Sequence, residues 1–241
     1  MNKICFRKSY KIISFVICFA IMFYIFNISA FASIEDPDLP ANSIGQTKYE
    51  EALSYGFKGQ IWITKDGNFG PVNHGHAGIL YAYAPYYRAF IEHRGYNTGP
   101  DLDGDNKGDG LSCMYVWDWG EGDTWWSTVH TLRTYNVHKS GATSAEDVNT
   151  MVAAADYASA NLIGLEYAPL SLKTTTSNVN CATLVYKAYL NGDYLNSGGY
   201  SIELGNPSSP TVIPKDLVED TNLVPVFNAQ WGGDQHIWNE K

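Results

Sequence analysis

The sequence predicts an α+β domain, and three observations carry that expectation. Short runs rich in β-branched and aromatic residues come first, two stretches with helical spacing of apolar residues follow, and no internal repeat breaks that order. With 45% hydrophobic and 17% charged residues, the chain can bury a core and is neither disordered nor collagen-like.

Residues 33–50 are polar, contain Pro37 and Pro40, and read as an extended arm before the domain proper. Ile61, Trp62 and Ile63 stand between Gly59 and Asp66-Gly67, which suits a buried strand over 60–64. Residues 77–83 and 88–92 have strand composition and are separated by Ala84-Pro85, so they read as adjacent strands joined by a short turn. Residues 95–110 hold five Gly and four Asp and read as an inserted loop. Further strands are expected over 114–119 and 129–137. Ser144, with Asp147 three residues on, resembles a capping box, and Val148, Met151, Val152, Ala155, Ala158 and Leu162 continue a helix face to Gly164. A second helix opens at Cys181, carries Leu184, Val185, Ala188 and Tyr189, and stops at Asn191-Gly192; the rest is loop-rich.

The first 32 residues read as an export signal: Lys3, Arg7, Lys8 and Lys11 precede an apolar run over 12–28, and Ala30 and Ala32 fit an A-x-A cleavage pattern. The alternative is an uncleaved anchor, since the run nears the lower limit for a span. Either way the domain is exported. Cleavage leaves 209 residues with an arm over 33–56 and a single domain over 57–241. It also removes four basic charges, so the net charge moves from −9 to −13, with 12 Lys plus Arg against 25 Asp plus Glu. That balance excludes nucleic acid as a partner, because phosphate binding needs a cationic surplus. A monomer with no membrane contact in the mature form is expected. Cys5 and Cys18 leave with the leader, so Cys113 and Cys181 are the thiols to explain.

Cys181 follows a polar stretch and opens an apolar-periodic helix. Free amides and the positive end of the helix dipole favour a thiolate there, and the same amides offer an oxyanion site. The competing readings are a buried cysteine and a Cys113–Cys181 disulfide. A thiol nucleophile needs an imidazole, and the candidates are His74, His76, His93, His130, His138 and His236. His76, in Gly75-His76-Ala77-Gly78, begins an apolar strand among small residues; a His74/His76 zinc pair lacks a third ligand in a recognisable spacing. Glu92 on the neighbouring strand can accept the imidazole N–H, whereas His93 points to the opposite face of a regular strand.

The series 59–64, 75–79, Ile91-Glu92, Gly164 to Tyr167, Asn180 to Tyr189 and Ile213 to Leu217 resembles the circularly permuted papain-like cysteine hydrolases of the NlpC superfamily, the YiiX/YycO-like group. The likeness spans about residues 57–226. It implies an antiparallel sheet or partial barrel packed against helices, with the histidine strand before the cysteine helix. It further implies a triad of Cys181, His76 and Glu92, with Tyr167 as a substrate wall or oxyanion contributor. Gln60 stands where members commonly have Asp, and Ala182 where they commonly have Ser. The implied chemistry is amide hydrolysis through a thioester, on a peptide, isopeptide or cell-wall-derived substrate, without a catalytic cofactor. A thiol acyltransferase or lipid-acyl hydrolase would use the same residues.

Asp101, Asp103, Asp105 and Asp109 occupy positions 1, 3, 5 and 9 of an EF-hand-like loop, a spacing that wraps a hard cation such as structural Ca²⁺. Ser112 replaces the usual bidentate Glu. Trp117, Trp119, Trp125 and Trp126 crowd nearby and can stack on sugars or pack a core. The acidic loop and these rings define the rival expectation, a non-catalytic calcium-dependent module that binds cell wall or carbohydrate.

Overall fold

The computed structural model describes residues 43–66, 68–69, 72–73, 75–84, 87–104, 106, 108–118 and 125–230. The expected leader and its cleavage site lie outside them, as do His74, Asp105, Trp119 and His236. In chain order the elements are α1 Gly45–Ser54, β1 Ile61–Thr64, β2 Asn68–Phe69, β3 Val72–Asn73, β4 His76–Ala84, β5 Tyr87–Glu92, β6 Cys113–Asp118, α2 Trp125–Thr128, β7 Thr131–Val137, α3 Ser144–Asn161, β8 Glu166–Tyr167, β9 Asn178–Val179, α4 Cys181–Asn191, α5 Tyr194–Ser197, α6 Pro214–Val218 and β10 Leu223–Gln230.

Six strands form an antiparallel sheet in the order β10-β7-β1-β4-β5-β6, so the α+β expectation holds. Alternation along the strands divides the core in two. Ile61, Ile63, Ala77, Ile79 and Ile91 face α3 and α4, whereas Trp62, Leu80 and Phe90 face α1 and α2. Both faces of the central strands are therefore dry, which is why β1 is buried at every position.

Several elements differ from expectation. The stretch read as an extended arm contains α1, whose Tyr49, Ala52 and Leu53 are fully buried at helical spacing. Glu50 also pairs with the buried Arg88 of β5. The cap of α3 sits one residue earlier than Ser144: Thr143 accepts from the Glu146 N–H and Glu146 answers to the Thr143 N–H. Asp147 instead accepts from Tyr200 Oη at 2.6 Å. The tail expected to be loop-rich supplies β10, an edge strand whose pairing with β7 shifts between Pro225 and Phe227. Proline lacks an N–H and is tolerated at an edge or bulge, and this strand has both.

Gly59 joins α1 to β1 at φ +90°, its N–H donates to Leu80 O at 2.7 Å, and a Cβ there would stand 2.0 Å from Met151 O of α3. Gly141 has φ +85° with nothing within 4 Å of such a Cβ. In urea unfolding, Gly141→Ala is expected to cost about 1 kcal/mol, the backbone penalty alone. Gly59→Ala adds a backbone clash and is expected to cost about 3 kcal/mol or more.

Candidate active site

The site is built where β4 begins and β5 ends. Gly78 pairs with Glu92, and His76 lies two residues before Gly78 on the same face, so His76 and Glu92 are diagonal neighbours. His76 Nε2 and Glu92 Oε2 are 2.6 Å apart, with side chains 4% and 0% exposed. A Cβ on Gly78 would come within 3.2 Å of Glu92 Cβ and 3.3 Å of both Glu92 Oε2 and Trp126 Cζ2. Glycine at 78 thus leaves the space that the carboxylate and the indole share.

The second carboxylate oxygen, Glu92 Oε1, accepts from Arg94 Nε at 2.8 Å and Nη2 at 2.6 Å. Burial alone would raise the Glu92 carboxyl; the charge of Arg94, then the hydrogen bond and charge of His76, bring it below the ordinary value. The Arg94 guanidinium lies 3.8 Å from the Tyr115 ring centre and 5.5 Å from that of Trp125. Trp125 meets the His76 ring edge-on at 4.8 Å, and Trp126 lies tilted against it at 5.5 Å.

Cys181 is the first residue of α4 and is 8% exposed. Asn180 caps the helix: its Oδ1 accepts from Thr183 N at 2.7 Å, and Thr183 Oγ1 accepts from Asn180 N at 2.8 Å. Its Nδ2 donates to Pro169 O at 3.0 Å and Val212 O at 3.2 Å, which fixes the cap against two distant segments. The N–H groups of Cys181 and Ala182 belong to the first turn and have no intrahelical acceptor. The Cys181 thiol lies near enough to the His76 ring to act on its pKa. Burial by itself would lower the His76 pKa; the nearby Cys181 thiol, then the bond and charge of Glu92 and the charge of Cys181, push it up to about 9.

The expected Cys181, His76 and Glu92 therefore come together. Tyr167 is close enough for the Cys181 charge to add to its burial in pushing the phenol up. It pairs with Val179, two residues before the cysteine, and its ring lies tilted against that of His93 with centres 4.8 Å apart. His93 is buried beyond the end of β5, and its Nδ1 accepts from Gly95 N at 3.2 Å. His130 and His138 pair at the surface with Asp66 and Asp147.

Cys113 and Cys181 are both free, so the disulfide of the rival expectation does not form. Trp125 and Trp126 are buried, which leaves neither as an open platform for a sugar. Gln60 is buried and ties β1 to its neighbours: Nε2 donates to Tyr55 O and Asn136 Oδ1, and Oε1 accepts from Trp62 Nε1. Ala182 is core. In the acidic loop, Asp101 accepts from Gly104 N and Asn106 N, and Asp109 accepts from Leu102 N. Among the described residues no group of three or more His, Cys, Asp or Glu is arranged to hold a metal.

Sequence reasoning missed Arg94, Trp125 and Gly78. Arg94 had a signal, since a residue two places after Glu92 in extended chain shares its side. Trp125 and Gly78 act through contacts no local pattern displays. Comparison with family models, curated proteins and solved structures finds no match to this chain.

The His76 shift has a definite sign in stability. Its folded pKa of about 9 exceeds the ordinary 6.5, so its contribution is full below pH 6.5 and is lost as pH rises through about 9. Urea unfolding of the wild type is expected to show that loss, on the order of 3 kcal/mol, and His76→Ala is expected to lack it.

Proposed function

We propose that this chain is an exported cysteine hydrolase of permuted papain-like topology that cleaves amide bonds through a thioester. One observation carries the assignment: a buried imidazole is hydrogen-bonded to a carboxylate and has beside it, near enough to raise its pKa, a thiol that opens a helix. The histidine strand precedes the cysteine helix, and the helix layer carrying Cys181 packs on the sheet that carries His76 and Glu92. Both features fit the permuted order.

In the proposed cycle His76 takes the Cys181 proton, and Sγ attacks the carbonyl carbon. The tetrahedral oxyanion is met by the N–H of Cys181 at the positive end of α4. The intermediate collapses, His76 returns its proton to the leaving amine, and a thioester remains. Water then gives a proton to His76 and attacks the thioester, and the expelled thiolate is restored with the free acid released. Glu92 holds the imidazole by Nε2 throughout, and Tyr167 walls the site beside the sulfur. Peptide or cell-wall-derived amides are the proposed substrates.

Iodoacetamide labelling of the purified protein tests this directly. Rapid modification at Cys181 is expected in the wild type, with a drop of about a hundredfold in His76→Ala, the scale on which a positioned base acts. Equal rates in the two proteins remove the triad. Peptidoglycan fragments, simple peptides and acyl esters assayed side by side assign the bond type.

Structural Ca²⁺ in the acidic loop is a separate proposal, resting on the spacing of Asp101, Asp103, Asp105 and Asp109. A chelator is expected to lower Tm, and excess Ca²⁺ to restore it. An unchanged Tm withdraws the ion.

A further inference from the structure

We infer that Arg94 is a positioning residue for the triad: its guanidinium, forked onto Glu92 Oε1 and covered by Tyr115 and Trp125, fixes the carboxylate so that Oε2 is the oxygen presented to His76. The inference rests on the triad reading and adds a fourth member that does not touch substrate.

The geometry supports it from three sides. Arg94 Nε and Nη2 converge on Oε1 alone, so a permanent cation occupies that oxygen and leaves Oε2 to His76. The Glu92 side chain is fully buried, so an anion there needs a partner, and His76 serves in that role only while it is itself protonated. Trp125 touches both Arg94 and His76, so one ring holds the guanidinium and the imidazole in register.

The titratable groups facing Glu92 are few. His76 comes from β4, Arg94 and His93 follow β5, and Cys113 and Tyr115 come from β6, where Cys113 pairs directly with Glu92. The α2 segment contributes Trp125, Trp126, Ser127 and Thr128, none of which ionises. Arg94 is thus the permanent cation at the carboxylate. During the cycle the imidazole passes between charged and neutral forms, and Arg94 keeps Glu92 an acceptor in both.

The test follows Cys181 alkylation against pH in the purified full chain, with the ¹³C resonance of the Glu92 carboxyl titrated in parallel. In Arg94→Met the acid limb of the profile and the Glu92 titration are both expected to move up by a unit or more, so the rate on that limb falls about tenfold. Arg94→Lys is expected to recover at least half of the shift. Lys58→Met, which removes a surface pair with Asp156, is expected to leave both readouts in place. Wild-type behaviour in Arg94→Met overturns the inference whatever happens to Tm, and so does a lysine variant with no recovery, which assigns the loss to packing. If the methionine variant does not fold, Arg94→Gln supplies the same comparison. Failure of the triad reading is seen separately, as wild-type labelling in His76→Ala, while the Glu92 resonance still reports on Arg94.

Discussion

The hydrogen bond between His76 and Glu92 is the interaction on which the surrounding structure depends. Both groups are buried, and removing a carboxylate and an imidazolium from water costs several kcal/mol for each ion unless the pair is close and its remaining valences are filled. The neighbouring side chains answer that demand. Arg94 takes the carboxylate oxygen that His76 leaves, Gly78 clears the strand where the carboxylate lies, and Trp125 and Trp126 exclude solvent from the imidazole. Trp62, Gly78, Glu92 and Cys113 are successive partners across β1, β4, β5 and β6. Glu92 is therefore one member of a continuous sheet row, His76 pairs with Thr64 two residues along β4, and strand register sets the diagonal between them.

Cys181 reaches that pair from the other layer of the fold. Helix α4 packs with α3 against Ile61, Ile79 and Ile91, whereas His76 and Glu92 belong to the face of Trp126 and Phe90. His76 is the first residue of β4, so the pair lies at that strand's end. Holding Cys181 there falls to the segment before it. Parallel pairing of Tyr167 with Val179, the two carbonyls taken by Asn180 Nδ2, and the buried Lys187 ammonium on Thr175 O and Asn178 O pin that segment from three directions. The capping bonds and the placement of the sulfur are thus one feature seen twice.

Much of this was legible in the sequence because the relevant periods were clean. The buried strands appear as short apolar runs, and the cysteine helix shows both its apolar face and its polar start. The triad pairing followed from two adjacent strands and the period of two. Other parts were hidden for physical reasons. Helix α1 buries only Tyr49, Ala52 and Leu53 in an otherwise polar stretch, so its pattern is thin. Pro225 has no N–H to give a ladder, and β10 accommodates it because it is at an edge and bulged. The second function of Asn180 lies in carbonyls 11 and 32 residues away, a relation that exists only after folding.

Two buried histidines sharpen what the environment contributes. His76 and His93 sit one on either side of Glu92's charge field, and burial pushes both imidazoles down. For His76 the nearby Cys181 thiol and the bond and charge of Glu92 reverse that push, to about 9. For His93 the backbone at Gly110 and Leu165 and the charge of Glu92 recover little of the burial penalty, and the positive charge of His76 works against it, leaving it at about 4. At neutral pH one ring is cationic and the other neutral. The neutral ring lies tilted against Tyr167 and accepts from Gly95 N at Nδ1, which leaves its single proton on Nε2. A charged His76 itself depresses His93, so His76 is the imidazole that holds the extra proton at neutral pH.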